Sequence, residues 1–310
     1  QKVVAPRYFT LGTKLSLWKQ GTDSISCTIE ETLGSGATAT VYRVAYAGKT
    51  GALKVFKDKD LTHLGQEASL MLNLNHPESH PNVLPLEFVR FEETSERLFF
   101  LLEYVDGDDL QKWIRDGRLY QGTEAEAQTR VVQVAHELAA GLAYVHSKGV
   151  LHEDAKPPNV LMTTEGKPVL SDMGISAMGE CIEAKDGGHK VEAELRGATY
   201  AFASAKVVRL LPHLRDCGSR EEREQLQKAT PLTHSDDIFA FAATVFEMLV
   251  GGGKWRPGNQ RAADLWAKHG QALLSATEPT VPLPPGMAGA RVACLDSDKT
   301  PERTKAPAVR

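Results

Sequence analysis

The sequence predicts an α+β fold, with strands gathered in the first third of the chain and helices after them. Three observations carry this. Short apolar or alternating runs recur at 28–42, 52–57, 83–89 and 98–105, separated by glycine or acidic turns, as strands do. Apolar residues Val131, Val134, Ala135, Leu138, Leu142 and Val145 then recur at helical spacing. Last, residues 235–250 are apolar nearly all round and are stopped by Gly251, Gly252 and Gly253, which predicts a buried central helix with Ser235 as its cap.

With 310 residues, the chain is long enough for one large domain or two small lobes with separate cores. Hydrophobic residues make up 42% and charged residues 25%, the balance of a soluble globular protein. A net charge of -4 argues against a nucleic-acid binder. No apolar run approaches the roughly 18 residues of a membrane span, and with no charged-then-apolar run at residues 1–24 a secretory leader is not expected there. Cys27, Cys181, Cys217 and Cys294 are scattered without Cys-x-x-Cys spacing, so free thiols are expected rather than a zinc site.

In chain order, 1–24 is expected to be an extension packed on the rest of the chain, broken at Gly12 and Gly21. Gly34-Ser35-Gly36 joins two strands, the second opening with Val41 and Tyr42. Glycines there would let backbone N–H groups approach a phosphate; they would equally suit a plain tight turn. In Ala52-Leu53-Lys54-Val55 the alternation puts Ala52 and Lys54 on one face. A lysine on an inward face needs an anionic partner. Glu67 lies on a helix over 64–74, one and two turns before Leu70, Met71 and Leu74, so its carboxylate points inward. Thr123 with Glu126 makes a capping box for the long helix. His136 and His146 near that helix are read as structural or exposed. Gly149 ends it. Residues 207–234 are long and charged, with 220–224 a solvated helix face.

The stretch 151–174 carries the chemistry. Asp154 can accept a proton, Lys156 can meet an anionic phosphate, and Asn159 and Asp172 offer oxygens to a hard cation such as Mg²⁺. A turn at Glu165-Gly166 would fold the segment into a hairpin and return Asp172 to Asn159. This is the set a phosphoryl-transfer site needs. The same residues would also serve a polar loop that uses Asp, Asn and Gly only for turns.

From about residue 28 onward, the Gly-x-Gly turn, Lys54, Glu67, His76-Pro77, Asp154-x-Lys156-x-x-Asn159 and Asp172-x-Gly174 resemble the motifs of eukaryotic protein kinases in order and spacing. The resemblance implies a small β-rich lobe at 25–105, a larger helical lobe at 106–310 with its end incomplete, and ATP in the cleft between them. Leu33, Gly34, Gly36, Val41, Ala52, Leu102, Glu103, Val105, Asp109 and Leu161 would line the nucleotide site, with the backbone of Glu103 and Val105 on adenine. Asp109 would meet the ribose or cap a helix. Lys54, held by Glu67, would orient the phosphates. Asn159 and Asp172 would hold Mg²⁺, Asp154 would serve the acceptor hydroxyl and Lys156 the transferring group. Lys156 and Thr199 resemble the pattern of serine/threonine-directed kinases, and Asp237 the aspartate that ties the central helix to the catalytic loop.

Several positions depart from that pattern. Ala39 stands where a third glycine is usual. Glu153 replaces the arginine before the catalytic aspartate, and 177–198 contains no Ser, Thr or Tyr; both imply activity without activation-loop phosphorylation. Met173 replaces a phenylalanine and can still fill the space between the lobes. Ala205 and Lys206 replace a proline and a glutamate, so the usual tether to an arginine near the end, here Arg303, is expected to be absent. No phosphate or metal ligand is lost. An active Ser/Thr protein kinase is therefore expected, with protein substrates; the alternative is a nucleotide-binding pseudokinase acting as a scaffold. The segment 11–15, the altered arginine and the long stretch before the central helix are also loosely reminiscent of apicomplexan rhoptry kinases. The default location is cytoplasmic; the rhoptry likeness implies a secreted one.

Overall fold

The computed structural model describes residues 9–251, apart from 20–21, 37, 58–60, 93–96, 175, 179, 184–188, 196–197 and 200. The expectations placed on Cys294, Arg303 and the rest of 252–310 lie outside the described residues. The N-terminal lobe comprises β1 (Lys14–Lys19), β2 (Thr22–Ser35), β3 (Ala39–Tyr46), β4 (Lys49–Phe56), α1 (Leu61–Leu74), β5 (Leu86–Glu92) and β6 (Arg97–Glu103). The strands form one antiparallel sheet in the order β1-β2-β3-β4-β6-β5, curled enough to bring β1 near β5. Period-two alternation sorts its side chains. Tyr42, Val44, Leu53, Val55, Phe99 and Leu101 share one buried cluster with Cys27 and Ile29. Ala52, Phe56, Phe100 and Leu102 face the other way, into a core shared with α1 and the second lobe.

Two boundaries differ from those expected. The division at 24/25 falls inside β2, and β1 pairs along it from Lys14↔Thr28 to Lys19↔Thr22, so the extension continues the sheet. The Phe9 ring adds edge contacts to Tyr42 and Phe99, with centroids 5.8 and 6.1 Å apart. The strand expected from 83 begins instead at Leu86. Val83 bridges Leu170 in the second lobe, Leu84 N–H donates to the Leu170 carbonyl at 2.9 Å, and Pro85, without an N–H, separates this bridge from β5.

The second lobe contains β7 (Gly107–Asp109), α2 (Leu110–Asp116), α3 (Glu124–Ser147), β8 (Val150–Leu151), β9 (Val160–Thr163), β10 (Pro168–Leu170), β11 (Ala177–Met178), β12 (Glu180–Glu183), β13 (His189–Glu192), α4 (Ala205–Asp216), α5 (Arg220–Ala229) and α6 (His234–Val250). The hairpin at Glu165-Gly166 forms as expected, with Leu170 opposite Val160. β7 adds to it against β9, and there Gly107 is obligatory: a Cβ would lie 1.8 Å from the Met162 carbonyl oxygen. The Thr123–Glu126 capping box opens α3, with Thr123 N–H donating to Glu126 at 2.7 Å. Along the stripe, Val131, Val134, Leu138, Leu142 and Val145 are buried and Ala135 is half-buried, and Gly149 follows the helix at φ 71°.

The charged segment after 204 resolves into α4 and α5. Ser204 and Ser219 cap them, and Val207, Leu210 and Leu214 bury one face of α4. α6 starts one residue before Ser235, with Thr233 at its cap, and Ser235 is exposed. The helix is two-faced rather than buried all round: Asp237, Ala240, Thr244, Val245 and Met248 are buried, while Phe246 and Leu249 are 39% and 46% exposed. The reason for the earlier start is Asp236. Its carboxylate accepts the Thr233 N–H at 2.9 Å and the Ser204 hydroxyl at 2.6 Å, and pairs with Lys206 at 2.5 Å.

Removing that carboxylate takes away a cap and two tertiary partners. Asp236→Ala should cost about 1–3 kcal/mol of stability, whereas Ser235→Ala should change it by less than about 0.5 kcal/mol. Denaturant melts of both variants check this; equal effects would contradict the assignment.

Candidate active site

β4 delivers Lys54 on the face shared with Ala52. Its ammonium donates to Glu67 Oε1 of α1 at 2.8 Å and to Asp172 Oδ1 of the second lobe at 3.1 Å. Glu67 is buried and Asp172 half-exposed. Burial works against the lysine's charge, yet the two carboxylates outweigh it and raise its pKa. Burial likewise opposes ionised Asp172, and Lys54, helped by His152 and the Gly174 N–H, holds the carboxyl below its usual range. Asp172 takes a left-handed backbone, φ 62°, one residue after Ser171, whose N–H and hydroxyl both donate to the Asn159 carbonyl at 2.8 and 2.9 Å. The hairpin thus sets Asp172 beside Asn159.

Asn159 turns its amide nitrogen to Asp154, 3.0 Å from the backbone carbonyl and 2.9 Å from Oδ2, which leaves its amide oxygen for another partner. Asp154 Oδ1 accepts the Thr199 hydroxyl at 2.8 Å, and Lys156 reaches both Thr199 at 2.7 Å and Asp154 at 2.5 Å. An alcohol, a carboxylate and an ammonium therefore meet at one point.

The loop from His152 is held from beneath by Asp237, which is buried. It accepts N–H groups of His152 and Glu153, both at 2.7 Å, and meets His146 Nε2 at 2.8 Å. His146 is therefore structural, as expected; His136 is exposed. Burial depresses the pKa of His152, and its ring bridges the Ser171 carbonyl at 3.1 Å and the Asp154 N–H at 3.3 Å. Thr244 donates to the Ala155 carbonyl at 2.7 Å. Ser171 and Thr244 could not be foreseen as supports, because small hydroxyls in apolar runs carry no local signature.

A cleft of about 690 Å³ lies between the lobes. Leu33, Gly34, Gly36, Val41 and Ala52 line it from the sheet; Leu102, Glu103, Val105 and Asp109 line the crossing; Asn159, Leu161 and Asp172 line the floor, with Lys54 and Glu67 at the back. Asp154 and Lys156 sit beside it rather than in its wall. The Glu103 N–H is taken by the Pro85 carbonyl at 3.2 Å, so any backbone contact of Glu103 to a base falls to its carbonyl. Asp109 caps α2 through the Lys112 N–H at 2.7 Å while also facing the cleft. A Cβ on Gly34 would meet nothing within 4 Å, and one on Gly36 only the Ala39 carbonyl at 4.0 Å. The fold does not need these glycines; the space they leave belongs to the cleft. Met173 is 1% exposed within the core joining the lobes.

The donor set fits Mg²⁺ arriving with phosphates. Among the described residues no group of three or more His, Cys, Asp or Glu could cage a metal. One carboxylate and one amide oxygen suit an ion that keeps water and phosphate as its remaining ligands.

Comparison with known proteins gives a matching result. The family profile described as protein kinase domain matches residues 27–284. The chain is 29% identical over 252 residues to mitogen-activated protein kinase kinase kinase 5 of Arabidopsis thaliana, covering 77% of this chain and 29% of that protein. It is 34% identical to CBL-interacting serine/threonine-protein kinase 3 of the same plant, covering 52% of this chain and 35% of that protein. It is also 34% identical to serine/threonine-protein kinase PkaA of Streptomyces coelicolor, covering 49% and 30%. The chain thus spans about a third of the length of these curated relatives.

The Asp237 node predicts an acid response. Burial opposes its charge, but the bonds from His146 and His152 hold its carboxyl below the usual value. With the folded pKa depressed, the stabilisation is complete above the unfolded value, about 3.9, and is lost as pH falls through the folded one. Asp237→Asn should lower stability at pH 7 by about 1–3 kcal/mol and flatten the loss below about pH 4. Urea titrations at pH 7, 5 and 3.5 measure it, and an acid limb as steep as the parent's would count against the node.

Proposed function

The chain belongs to the protein kinase family, and from that premise we propose that it is an active serine/threonine kinase moving the γ-phosphoryl group of ATP to a protein hydroxyl. The observation that carries the reading is the 3.1 Å contact across the cleft between Lys54 and Asp172. It brings an amine and a carboxylate from opposite lobes onto one cavity, which supports a phosphate-orienting lysine facing a cation-holding acid. In this scheme the acceptor oxygen bonds to the γ-phosphorus as the bond to the ADP oxygen breaks, and the acceptor proton passes to Asp154. Lys156 faces the transferring group. Lys54, aligned by Glu67, orients the α- and β-phosphates. Asn159 and Asp172 would hold Mg²⁺, which neutralises phosphate charge when bound. The Ser/Thr preference is supported by Thr199, whose hydroxyl on Asp154 and Lys156 marks where an acceptor alcohol would stand.

We further propose that activity needs no phosphate on the activation loop. Two features support this. Glu153 occupies that position and would repel a phosphate. The loop is also already paired: β11 with β8, and β12 with β13. The finer likeness to rhoptry kinases would imply a secreted setting, and the plain family reading a cytoplasmic one; fractionation of the source cells separates them.

Transfer of label from γ-labelled ATP to casein tests the reaction. Asp154→Asn should lose about 10²-fold or more, and Asp172→Ala should abolish transfer. Phosphatase treatment should leave the parent's rate unchanged; its loss, with a phosphosite mapped to Ser176 or Thr199, would overturn loop independence. A nucleotide-dependent thermal shift without any transfer by the parent would favour the pseudokinase alternative.

A further inference from the structure

Lys206 stands where the family pattern has a glutamate, and the structure gives it a different task from a missing tether. Its ammonium pairs with Asp236 Oδ2 at 2.5 Å and donates to the Pro231 carbonyl at 2.9 Å. The other oxygen of Asp236 accepts the Ser204 hydroxyl at 2.6 Å. Ser204 and Lys206 close the segment that begins at Thr199, whose hydroxyl lies on the catalytic Asp154. The next residue along α6, Asp237, grips the catalytic loop through His152 and Glu153. Two consecutive carboxylates on one helical turn therefore fix two loops, one holding the base and one flanking the acceptor.

We propose that Lys206 is a positioning residue for the protein acceptor: by clamping Asp236 it sets Thr199 and the turn at 201–204 in register with Asp154. The inference rests on the kinase reading above. The pair is only partly shielded, with side-chain exposures of 35% for Lys206 and 11% for Asp236. The Ser204 hydroxyl adds a second, neutral hold on the same carboxylate. Loss of the ammonium should therefore loosen the loop without unfolding the lobe. ATP binds in a cleft built from other elements, so its binding should not change.

The test compares the full chain with Lys206→Met, Lys206→Glu and Lys206→Arg. Steady-state kinetics with casein should show KM for the acceptor rising about two- to fivefold in Lys206→Met, more in Lys206→Glu, and recovering in Lys206→Arg. KM for ATP should stay within about twofold in all three. Amide hydrogen exchange supplies an arm independent of catalysis: protection at 198–205 should fall in Lys206→Met while that at 152–156 holds. Unchanged acceptor KM in Lys206→Met, or a rise in both KM values together, would overturn the proposal. A parent that transfers no phosphate would sink the kinase reading instead, and exchange at 198–205 would then decide the clamp alone: unaltered protection refutes it.

Discussion

The Lys54 ammonium is the constraint around which the two lobes are arranged. Burial penalises its charge, and only carboxylates from two separate elements make that charge tenable. One comes from α1, so that helix must pack with Glu67 toward the sheet. The other comes from Asp172, so the hairpin of β9 and β10 must end within reach of β4. Its left-handed backbone at φ 62° turns the chain there. Deleting either acid would leave a desolvated cation with half its compensation. The apolar core running from Phe100 and Leu74 through Met173 to Leu170 and Val145 packs around this polar joint.

Below the cleft the same logic repeats with the signs reversed. Asp237 is a buried anion sustained by backbone N–H groups and an imidazole rather than by a strong cation. Such bonds are directional, so they fix the path of the chain through His152 and Glu153 as well as balancing charge. Burial keeps His152 in its uncharged form near neutrality and frees its ring to join two backbone groups. The polar floor of the site is a set of satisfied hydrogen bonds, which is what rigid presentation of Asp154 needs.

What could be read in advance was local. Alternation placed Lys54 beside Ala52 because a strand has period two, and the turn at Glu165-Gly166 announced the hairpin that returns Asp172. The capping box of Thr123 and Glu126 closes within a single helical turn. Most of what escaped depended on distant partners. β5 starts late because Val83 is drawn to Leu170, far along the chain in the other lobe. The cap of α6 is different: the expectation at Ser235 misses a local capping box formed by Thr233 and Asp236, and only the further hold of Ser204 and Lys206 on Asp236 depends on another helix. The pairing of β12 with β13 lies in a polar stretch with no strand-like alternation, and the placement of β1 depends on β2 accepting a neighbour.

That neighbour has a practical bearing on any shortened version of the chain. Cutting at the family boundary near residue 27 would strip away β1 and sever β2 within its own span. The remnant of β2 would then be an unprotected sheet margin, its free amides and carbonyls open to strands of other molecules. Tyr42 and Phe99 would lose the ring that covers them. Self-association of such a fragment would reflect the missing cover and not a dimer built into the fold.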